Sequence, residues 1–300
     1  MKEKLLLIDA NSLIHRAYHA LPPLTGPGNK PTGALYGLTS ILIKLFKGGY
    51  PTYVAAAFDR PEPTLRDEMY KEYKATRPPT PSPLIEQLKE ARILLGHFGV
   101  RVVESPGYEA DDLIATLATK FANTNLQAEI MSGDLDILQV VSKDQIIAQI
   151  PKKGISETII YNEDKVKERF GVPPKTMADY KGLVGDNSDN IPGVAGIGPK
   201  SAVDLLERYK NIENIYQNLG EIKKDKPALG EKLELGRESA LLSKKLATLI
   251  TDVALEESLD TLRMGNPLRD QGLWKYLEDL GFKTLVNRVK DSQQEASRLF

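Results

Sequence analysis

The sequence Gly107-Tyr108-Glu109-Ala110-Asp111-Asp112 places three carboxylates within four residues, directly before an apolar run from Leu113 to Phe121 that predicts a helix. One or two acids would cap such a helix and complement its dipole. A third acid adds mutual repulsion unless a cation lies among the three. The stretch therefore predicts a cation site, and an over-acidic helix start is the alternative.

Acidic side chains follow other apolar runs in the same way. Asp9 ends the first run of the chain, and Asp59 ends a later one. Four more follow a third run or lie in a Gly/Asn/Ser loop: Asp134, Asp136, Asp186 and Asp189. Together with the three acids of the first stretch, they make nine acids at the ends of elements. This recurrence indicates one shared site for hard cations.

The donor types favour Mg²⁺ or Mn²⁺, because carboxylates without Cys or His suit hard cations better than zinc. Residues i and i+2 of an extended chain point to the same side, so Asp134 and Asp136 can share one ion. Glu109 and Asp111 can do the same if the chain is still extended at Glu109. Two ions about 4 Å apart activate a water and stabilise both the entering and the leaving oxygen of a phosphodiester.

The composition is that of a globular protein with room for one large domain or two small ones. The 300 residues are 41% hydrophobic and 27% charged, and no apolar run approaches the length of a membrane span. The absence of cysteine excludes disulfides and thiolate metal sites, and we expect a cytoplasmic monomer without a signal peptide. Without the nine acids, the remaining 40 basic and 32 acidic residues carry a net charge of +8, which is compatible with binding phosphates.

Apolar runs and helical patterns alternate through the first half of the chain. Continuous apolar runs indicate strands buried on both faces of a parallel sheet. We predict strands at Lys4–Asp9, Tyr53–Asp59, Val100–Val103, Ala128–Ser132, Gln145–Ile150 and Glu157–Tyr161. Asn11 or Ser12 is expected to cap the first helix. The result is a layered α/β fold, in which ligands bind beyond the carboxyl ends of the strands.

Residues 60–83 differ from their surroundings, because they are rich in proline and mixed charge and poor in large aliphatic side chains. We predict an exposed, mobile excursion with partial helix. After Asn162 the strand signals fade, and Pro173-Pro174 suggests a boundary. The predicted units are an α/β core over 1–173, a helical subdomain over 174–290 and a polar, frayed tail or linker over 291–300.

A second motif runs from Asn190 to Ala202 and contains Gly193, Gly196, Gly198, Pro199 and Lys200. A glycine hairpin between helices lets backbone N–H groups approach a phosphate closely, and proline suits the first position of the following helix. The pattern resembles the helix-hairpin-helix DNA-binding motif, which a monovalent cation such as K⁺ often completes. An ordinary Gly/Pro turn is the alternative.

The sequence shows no pattern that supports other catalytic arrangements. The three histidines, His15, His19 and His97, read as structural or surface residues. No Ser-His-Asp arrangement and no phosphate-cradling G-x-x-x-x-G-K sequence is evident, which argues against kinase-like and hydride-transfer enzymes.

Several motifs in fixed order resemble the 5′-nuclease domain at the N-terminus of bacterial DNA polymerase I, in the flap endonuclease superfamily. They are Leu7-Ile8-Asp9-Ala10-Asn11-Ser12, Phe58-Asp59, Leu65-Arg66, Tyr73-Lys74-Ala75-Thr76-Arg77, the stretch from Gly107 to Asp112, Gly133-Asp134-Leu135-Asp136, and Gly185 to Gly193. The resemblance implies a PIN-like, mostly parallel α/β core with a helical arch at about 60–83, plus a helix-hairpin-helix subdomain.

The resemblance also implies residue roles. Asp9, Asp59, Glu109 and Asp111 would serve a first Mg²⁺; Asp134, Asp136 and Asp189 would serve a second, with Asp112 and Asp186 in supporting positions. Lys74 would act on the scissile phosphate. Arg66, Arg77 and Lys71 would hold flap phosphates, with a solvated surface as the alternative, and Arg16 would contact the substrate. Tyr18 and Tyr73 would stack unpaired bases, with simple packing as the alternative.

The implied activity is a Mg²⁺-dependent 5′ nuclease that cuts DNA at 5′ flaps, nicks and free 5′ ends, including RNA-primed ends, in primer removal and repair. A polymerase domain could follow this chain. The rival functions are a PIN-type ribonuclease on single-stranded RNA and a non-catalytic flap-binding module.

Overall fold

The structure, a computed structural model, describes residues 2–47, 51–143, 145–152 and 157–298. Six strands form one sheet: β1 (Glu3–Asp9), β2 (Tyr53–Ala57), β3 (Arg101–Val103), β4 (Leu126–Met131), β5 (Ile146–Pro151) and β6 (Thr158–Tyr161). Their spatial order is β3-β2-β1-β4-β5-β6; β1 to β5 are parallel, and β6 is antiparallel to β5. The predicted mostly parallel α/β core is confirmed.

Six α-helices belong to the first half: α1 (Ala10–Ala20), α2 (Gly33–Lys47), α3 (Leu65–Met69), α4 (Ser82–His97), α5 (Ala110–Phe121) and α6 (Glu163–Phe170). The predicted cap of α1 is wrong, because the helix begins directly after β1. Asp9 itself is the N-cap, and its side chain accepts a hydrogen bond from the backbone N–H of Ser12. One carboxylate thus ends a strand and starts a helix.

The part of the second half that the structure describes contains α7 (Met177–Val184), α8 (Pro199–Tyr209), α9 (Ile212–Gln217), α10 (Leu219–Asp225), α11 (Pro227–Leu235), α12 (Arg237–Ala247), α13 (Leu259–Leu262), α14 (Gln271–Asp279) and α15 (Lys283–Arg298). The sequence did not predict α10 and α11, since α10 buries only Ile222 and α11 only Gly230 and Leu233. The frayed tail is also wrong: α15 runs to Arg298, and Leu299 and Phe300 lie outside the described residues.

The core has two layers, one on each face of the sheet. Leu5 and Leu7 of β1 face α5 and the helices α7 to α12, whereas Leu6 and Ile8 face α1, α2 and α4. Within the predicted unit 174–290, α14 and the first part of α15 return to the first half and pack against α4 and α2. Their apolar residues find their partners there, on the face opposite α7. No helix within the described ranges is long and apolar enough to cross a membrane.

The topology places the acidic motifs at one edge. After β3 the chain returns to the other side of β1, so the neighbours β1 and β4 form a topological switch point. Asp9 ends β1, Asp134 follows β4, and Asp59 follows β2, all at the carboxyl ends of the strands. Ligands of open α/β sheets bind in the crevice at such a point.

Segment 60–83 is anchored rather than wholly exposed. Thr64 and Asp67 form a capping box at the start of α3, and Arg66 and Tyr73 are buried. Further along, the backbone N–H of Lys74 donates to the carbonyl of Asp189. Most of the segment is exposed and α3 is a short helix, as predicted, but polar contacts rather than aliphatic side chains anchor it to the core.

Candidate active site

A cavity of about 450 Å³ opens at the carboxyl ends of β1, β2 and β4. Carboxylates, basic groups and two histidines share its walls. The lining residues are Asp9, Asn11, Ser12, His15, Arg16, His19, Asp59, Lys74, Arg77, Glu109, Ala110, Asp111, Gly133 and Asp134. We call it the acidic pocket.

Four of these acids, Asp9, Asp59, Asp111 and Asp134, form no ion pair with any described residue. Neutral groups position them instead. Asp9 accepts hydrogen bonds from the N–H of Ser12 (2.9 Å) and the hydroxyl of Ser132 (2.6 Å). Asp59 accepts one from the N–H of Ala110 at the start of α5 (2.8 Å). These contacts hold the carboxylates together without neutralising them.

The unpaired charges change the acidity of the pocket. Burial raises the pKa of Asp9 to about 7, against hydrogen bonds from Ser132 and Ser12 that lower it. Burial also raises the pKa of Asp111 well above its ordinary value, and the negative charges of Asp9 and Asp134 raise it further. In the absence of a cation, the folded protein therefore retains protons that the unfolded chain would release.

The donors fit a hard divalent cation. Oδ1 of Asp111 is buried without a hydrogen-bond partner, although three more acids surround it. However, no three acidic or histidine side chains of the described ranges already converge on one point as a finished metal shell. The carboxylates must shift toward an ion to coordinate it.

The remaining acids are paired with basic side chains. Lys74 Nζ lies 2.7 Å from Glu109, and Arg77 lies 2.5 Å from Asp189. Lys181 forms ion pairs with both Asp136 and Asp186. The division of acids between two ions stays a prediction; in this structure Asp134 lies with the unpaired group and Glu109 with the paired one.

Asp112 and Arg66 form a buried pair, so Arg66 is not presented to a flap phosphate, whereas Asp112 is compatible with the supporting position predicted for it. Both are buried, and Arg66 donates to the two oxygens of Asp112 at 2.7 and 2.8 Å. The guanidinium also donates to the carbonyls of Leu246 and Thr248, at 2.8 Å each. The N–H of Ile250 donates to Asp112 as well. With these bonds satisfied internally, the pair joins α3, α5 and the chain after α12.

Tyr73 and Tyr18 are not presented as stacking platforms. The Tyr73 hydroxyl lies 3.2 Å from carboxylate oxygens of both Glu109 and Asp189, and its side chain is buried. Burial first, and then these two negative charges, raise the pKa of Tyr73, so the hydroxyl keeps its proton. Tyr18 is half-buried and packs against the core beneath α1. The packing alternative describes both residues better.

The basic residues of the excursion differ in placement. Lys74 has a left-handed backbone (φ 54°), and its ammonium reaches the acidic pocket. Arg77 borders the same pocket with a half-exposed side chain, and Lys71 is exposed on the surface. Arg16 borders the pocket and donates to the carbonyl of Lys152 at 2.9 Å. Lys74, Arg77 and Arg16 thus surround the acids.

Sequence reasoning missed three groups at the site. The half-buried His15 and the exposed His19 line the pocket, whereas His97 stacks on Tyr276 as a structural residue. Burial and the charge of His19 lower the pKa of His15. The third group, Lys181, lies on α7, where no motif in the sequence indicates a site residue. The spacing of Ser12, His15, Arg16 and His19 on one face of α1 was the available signal.

The hairpin between α7 and α8 divides into a packed and an open part. Gly193 is buried; its N–H donates to Ser243 and its carbonyl accepts from Ser239. Its predicted role in binding DNA is therefore wrong, since its N–H is already used. Gly196, Gly198 and Lys200 are exposed at the open end. Lys232 Nζ donates to the carbonyl of Gly196 at 3.1 Å and braces this end.

The parallel sheet, the acidic pocket at its switch point and the attached hairpin between helices define a nuclease with a PIN-like core. The chain belongs to the 5′-3′ exonuclease family. The model of the family's N-terminal resolvase-like domain matches residues 4–171, and that of its C-terminal SAM fold matches residues 172–270. The family resemblance seen in the sequence is confirmed.

Relatives agree with this assignment. A 5′-3′ exonuclease of Aquifex aeolicus is 36% identical over 295 residues, which are 98% of each chain. DNA polymerase I of Caldicellulosiruptor bescii is 43% identical over 288 residues, 95% of this chain and 33% of that protein. The chain thus spans about a third of the length of its DNA polymerase I relatives.

Solved structures share the fold. T5 5′-exonuclease with bound zinc ions superposes with a TM-score of 0.69 at 20% identity, covering 97% of this chain and 99% of that one. The catalytic core of Rad2 in complex with DNA substrate gives 0.63 at 18% identity, covering 96% and 92%. At these identities the comparison establishes the architecture.

Because burial raises the pKa of Asp9 and of Asp111, the metal-free protein should lose stability as the pH rises. A carboxyl with a raised folded-state pKa loses stabilisation as pH rises from its unfolded value through its folded one. Asp111→Asn should therefore raise the melting temperature in EDTA by roughly 3 °C or more at pH 8, equivalent to about 1 kcal/mol, and much less at pH 5. Thermal denaturation at both pH values measures this. Asp252→Asn, at an exposed acid away from the pocket, is the control; an equal response of both variants would contradict the prediction.

Replacement by alanine should destabilise the protein much more at Gly193 than at Gly198. Gly193 has φ 64°, and a Cβ there would lie 2.3 Å from the backbone nitrogen of Gly185. Gly193→Ala should lower the free energy of unfolding by more than about 2 kcal/mol. Gly198 has φ −99° and open space around a Cβ, so Gly198→Ala should cost less than about 1 kcal/mol. Urea denaturation of both variants decides the matter, and similar losses would refute the division of the hairpin.

Proposed function

We propose that this chain is a divalent-metal-dependent 5′ nuclease that cuts DNA near the junction of a single-stranded 5′ flap and a duplex. It would also degrade from nicks and free 5′ ends, leaving a 5′-phosphate and a 3′-hydroxyl. The observation that carries the proposal is the buried, unpartnered Oδ1 of Asp111 among three other unpaired acids. Such a group suits a cation far better than an empty pocket.

The acids of the pocket would hold Mg²⁺ or Mn²⁺, with Asp9, Asp59, Asp111 and Asp134 as the first candidates. When bound, such ions supply positive charge to a phosphodiester and lower the pKa of a water molecule. The chain contributes the placement. Hydrogen bonds from Ser12 and Ser132 orient Asp9, and one from Ala110 orients Asp59, before any ion arrives.

Lys74 and Arg77 are suited to bind the substrate phosphates. The Lys74 ammonium lies at the pocket wall, 2.7 Å from Glu109 and 3.9 Å from Asp189. From there it can exchange a carboxylate for an oxygen of the scissile phosphate and stabilise the negative charge that develops on it. Arg77, half-exposed at the rim, would hold a neighbouring phosphate of the flap.

A second cavity of about 460 Å³ supports a path for the single strand. It continues from the acidic pocket along residues 59–67 and shares Asp59, Lys74, Arg77 and Glu109 with it. Segment 60–83 would cover this path as the arch through which the 5′ end passes. Arg66 would act as a positioning residue, because its pairing with Asp112 fixes the base of that arch.

The open end of the hairpin would bind the duplex. Gly196 and Gly198 leave exposed backbone, and Lys200 at the start of α8 adds a positive charge. Such contacts fix position without reading sequence. A K⁺ ion at this hairpin, an exclusively monomeric state and a cytoplasmic location all remain predictions from the sequence.

The biological setting would be the removal of RNA primers and repair patches. The similarity to about a third of the length of DNA polymerase I relatives supports it. A labelled 5′-flap duplex, incubated with the protein in Mg²⁺ and in EDTA, tests the proposal. We expect Mg²⁺-dependent cleavage at the junction; binding without cleavage, or cleavage of single-stranded RNA alone, would overturn it.

Lys74 should affect the transition state more than binding. Lys74→Ala should lower the single-turnover rate at saturating flap by roughly 100-fold or more, with a modest change in affinity. Lys71→Ala is the matched control, because Lys71 lies in the same segment but is exposed. A variant of Lys74 with weaker affinity and an unchanged saturated rate would make it a simple phosphate anchor.

Lys200 should contribute affinity without sequence preference. Lys200→Ala should weaken binding equally for different duplex sequences and reduce the slope of log affinity against log salt by about one phosphate contact. The saturated cleavage rate should stay near that of the wild type. Lys275→Ala, at an exposed lysine on α14, serves as the comparison. Unchanged binding by the Lys200 variant at every salt concentration would place the duplex elsewhere.

A further inference from the structure

Lys181 is not one of the predicted site residues, but it forms ion pairs with two of the nine predicted metal acids; these nine acids together are called the acidic centre. It belongs to α7 and forms ion pairs with Asp136, which follows β4, and with Asp186, which follows α7; the second contact is 2.6 Å. Only 12% of its side chain is exposed, and its two partners are exposed by 13% and 18%. The ammonium is therefore enclosed between two carboxylates.

This placement makes the acids of the centre unequal. Asp9, Asp59, Asp111 and Asp134 have no ion pair with a described residue, so no ammonium or guanidinium of the described residues has to leave their oxygens when a cation binds. At Asp136 and Asp186 the positive charge is already supplied by the protein. An ammonium and a small divalent ion seek the same carboxylate oxygens, and both cannot occupy them.

We propose that Lys181 is a built-in counter-ion that competes with a divalent cation for the oxygens of Asp136 and Asp186. The inference rests on the proposed metal dependence of the pocket. Ions would bind first to the unpaired acids, and a further ion would reach Asp136 and Asp186 only after the ammonium has left. Lysine suits this task, since its compact charge sits on a flexible stem that can withdraw without moving the helix.

The competition predicts the direction in which Mn²⁺ affinity changes when the ammonium is removed. Removing the ammonium should tighten the weaker class of Mn²⁺ sites by about tenfold, because the ion no longer displaces a charge held between two acids. The stronger class should be unchanged. Isothermal titration calorimetry and the electron paramagnetic resonance signal of free Mn²⁺ measure both classes in wild-type protein and in Lys181→Met.

Lys244 provides a matched control. Its ammonium also bridges two carboxylates, Asp179 and Glu213, each at 2.7 Å, but it lies outside the acidic pocket. Lys244→Met removes the same charge and should leave both Mn²⁺ affinities unchanged. Lys181→Gln, which keeps a hydrogen-bond donor, should tighten the weaker sites as Lys181→Met does and serves if the methionine variant fails to fold.

Thermal denaturation gives an independent readout. Without its ammonium, Asp136 faces Asp186 unpaired, so the melting temperature in EDTA should fall and the rise caused by Mn²⁺ should exceed that of the wild type. Unchanged or weaker Mn²⁺ binding in both Lys181 variants would overturn the inference, as would equal tightening in Lys244→Met. Wild-type protein that binds no Mn²⁺ would instead refute the proposed metal dependence.

Discussion

Repulsion between like charges held away from water is the constraint on which this structure depends. Asp9, Asp59, Asp111 and Asp134 are brought to one edge of the sheet without a basic partner among the described residues. The fold tolerates them because strand ends and helix starts supply N–H and hydroxyl donors at that edge. These donors set the direction of Asp9 and Asp59, whereas Oδ1 of Asp111 is left without a donor.

Basic side chains around the four unpaired acids limit this repulsion to the pocket. Lys74, Arg77 and Lys181 neutralise the acids around the unpaired group, and Arg66 neutralises Asp112 beneath it. These four basic residues come from two separate parts of the chain, the excursion between β2 and α4 and helix α7. The pocket therefore holds the two halves of the molecule together through ion pairs as well as through the apolar core.

The sequence predicted what depends on local pattern. Apolar runs gave the strands, and acids at their ends gave the pocket, because chain direction and sheet geometry alone bring such residues to one edge. Partnerships between distant segments were not predictable. Arg66 and Tyr73 read as exposed groups of a charged, proline-rich segment, yet they bond to Asp112, Glu109 and Asp189 from later in the chain. In the sequence Gly193 resembles its neighbouring glycines, but in the fold its N–H donates to Ser243, fifty residues later in the chain.

The loop between α7 and α8 is short and connects two predicted functions, cation binding and duplex binding. Asp186 and Ile191 exchange backbone hydrogen bonds of 2.8 Å in both directions, and Gly185 and Gly193 are in backbone contact, so this turn is stiff. Its first part carries Asp186 and Asp189 to the acids, and twelve residues after Asp186 it reaches the open hairpin at Gly198. A duplex bound at the hairpin would thus lie at a fixed distance from the acids, and cleavage would fall at one position relative to that duplex.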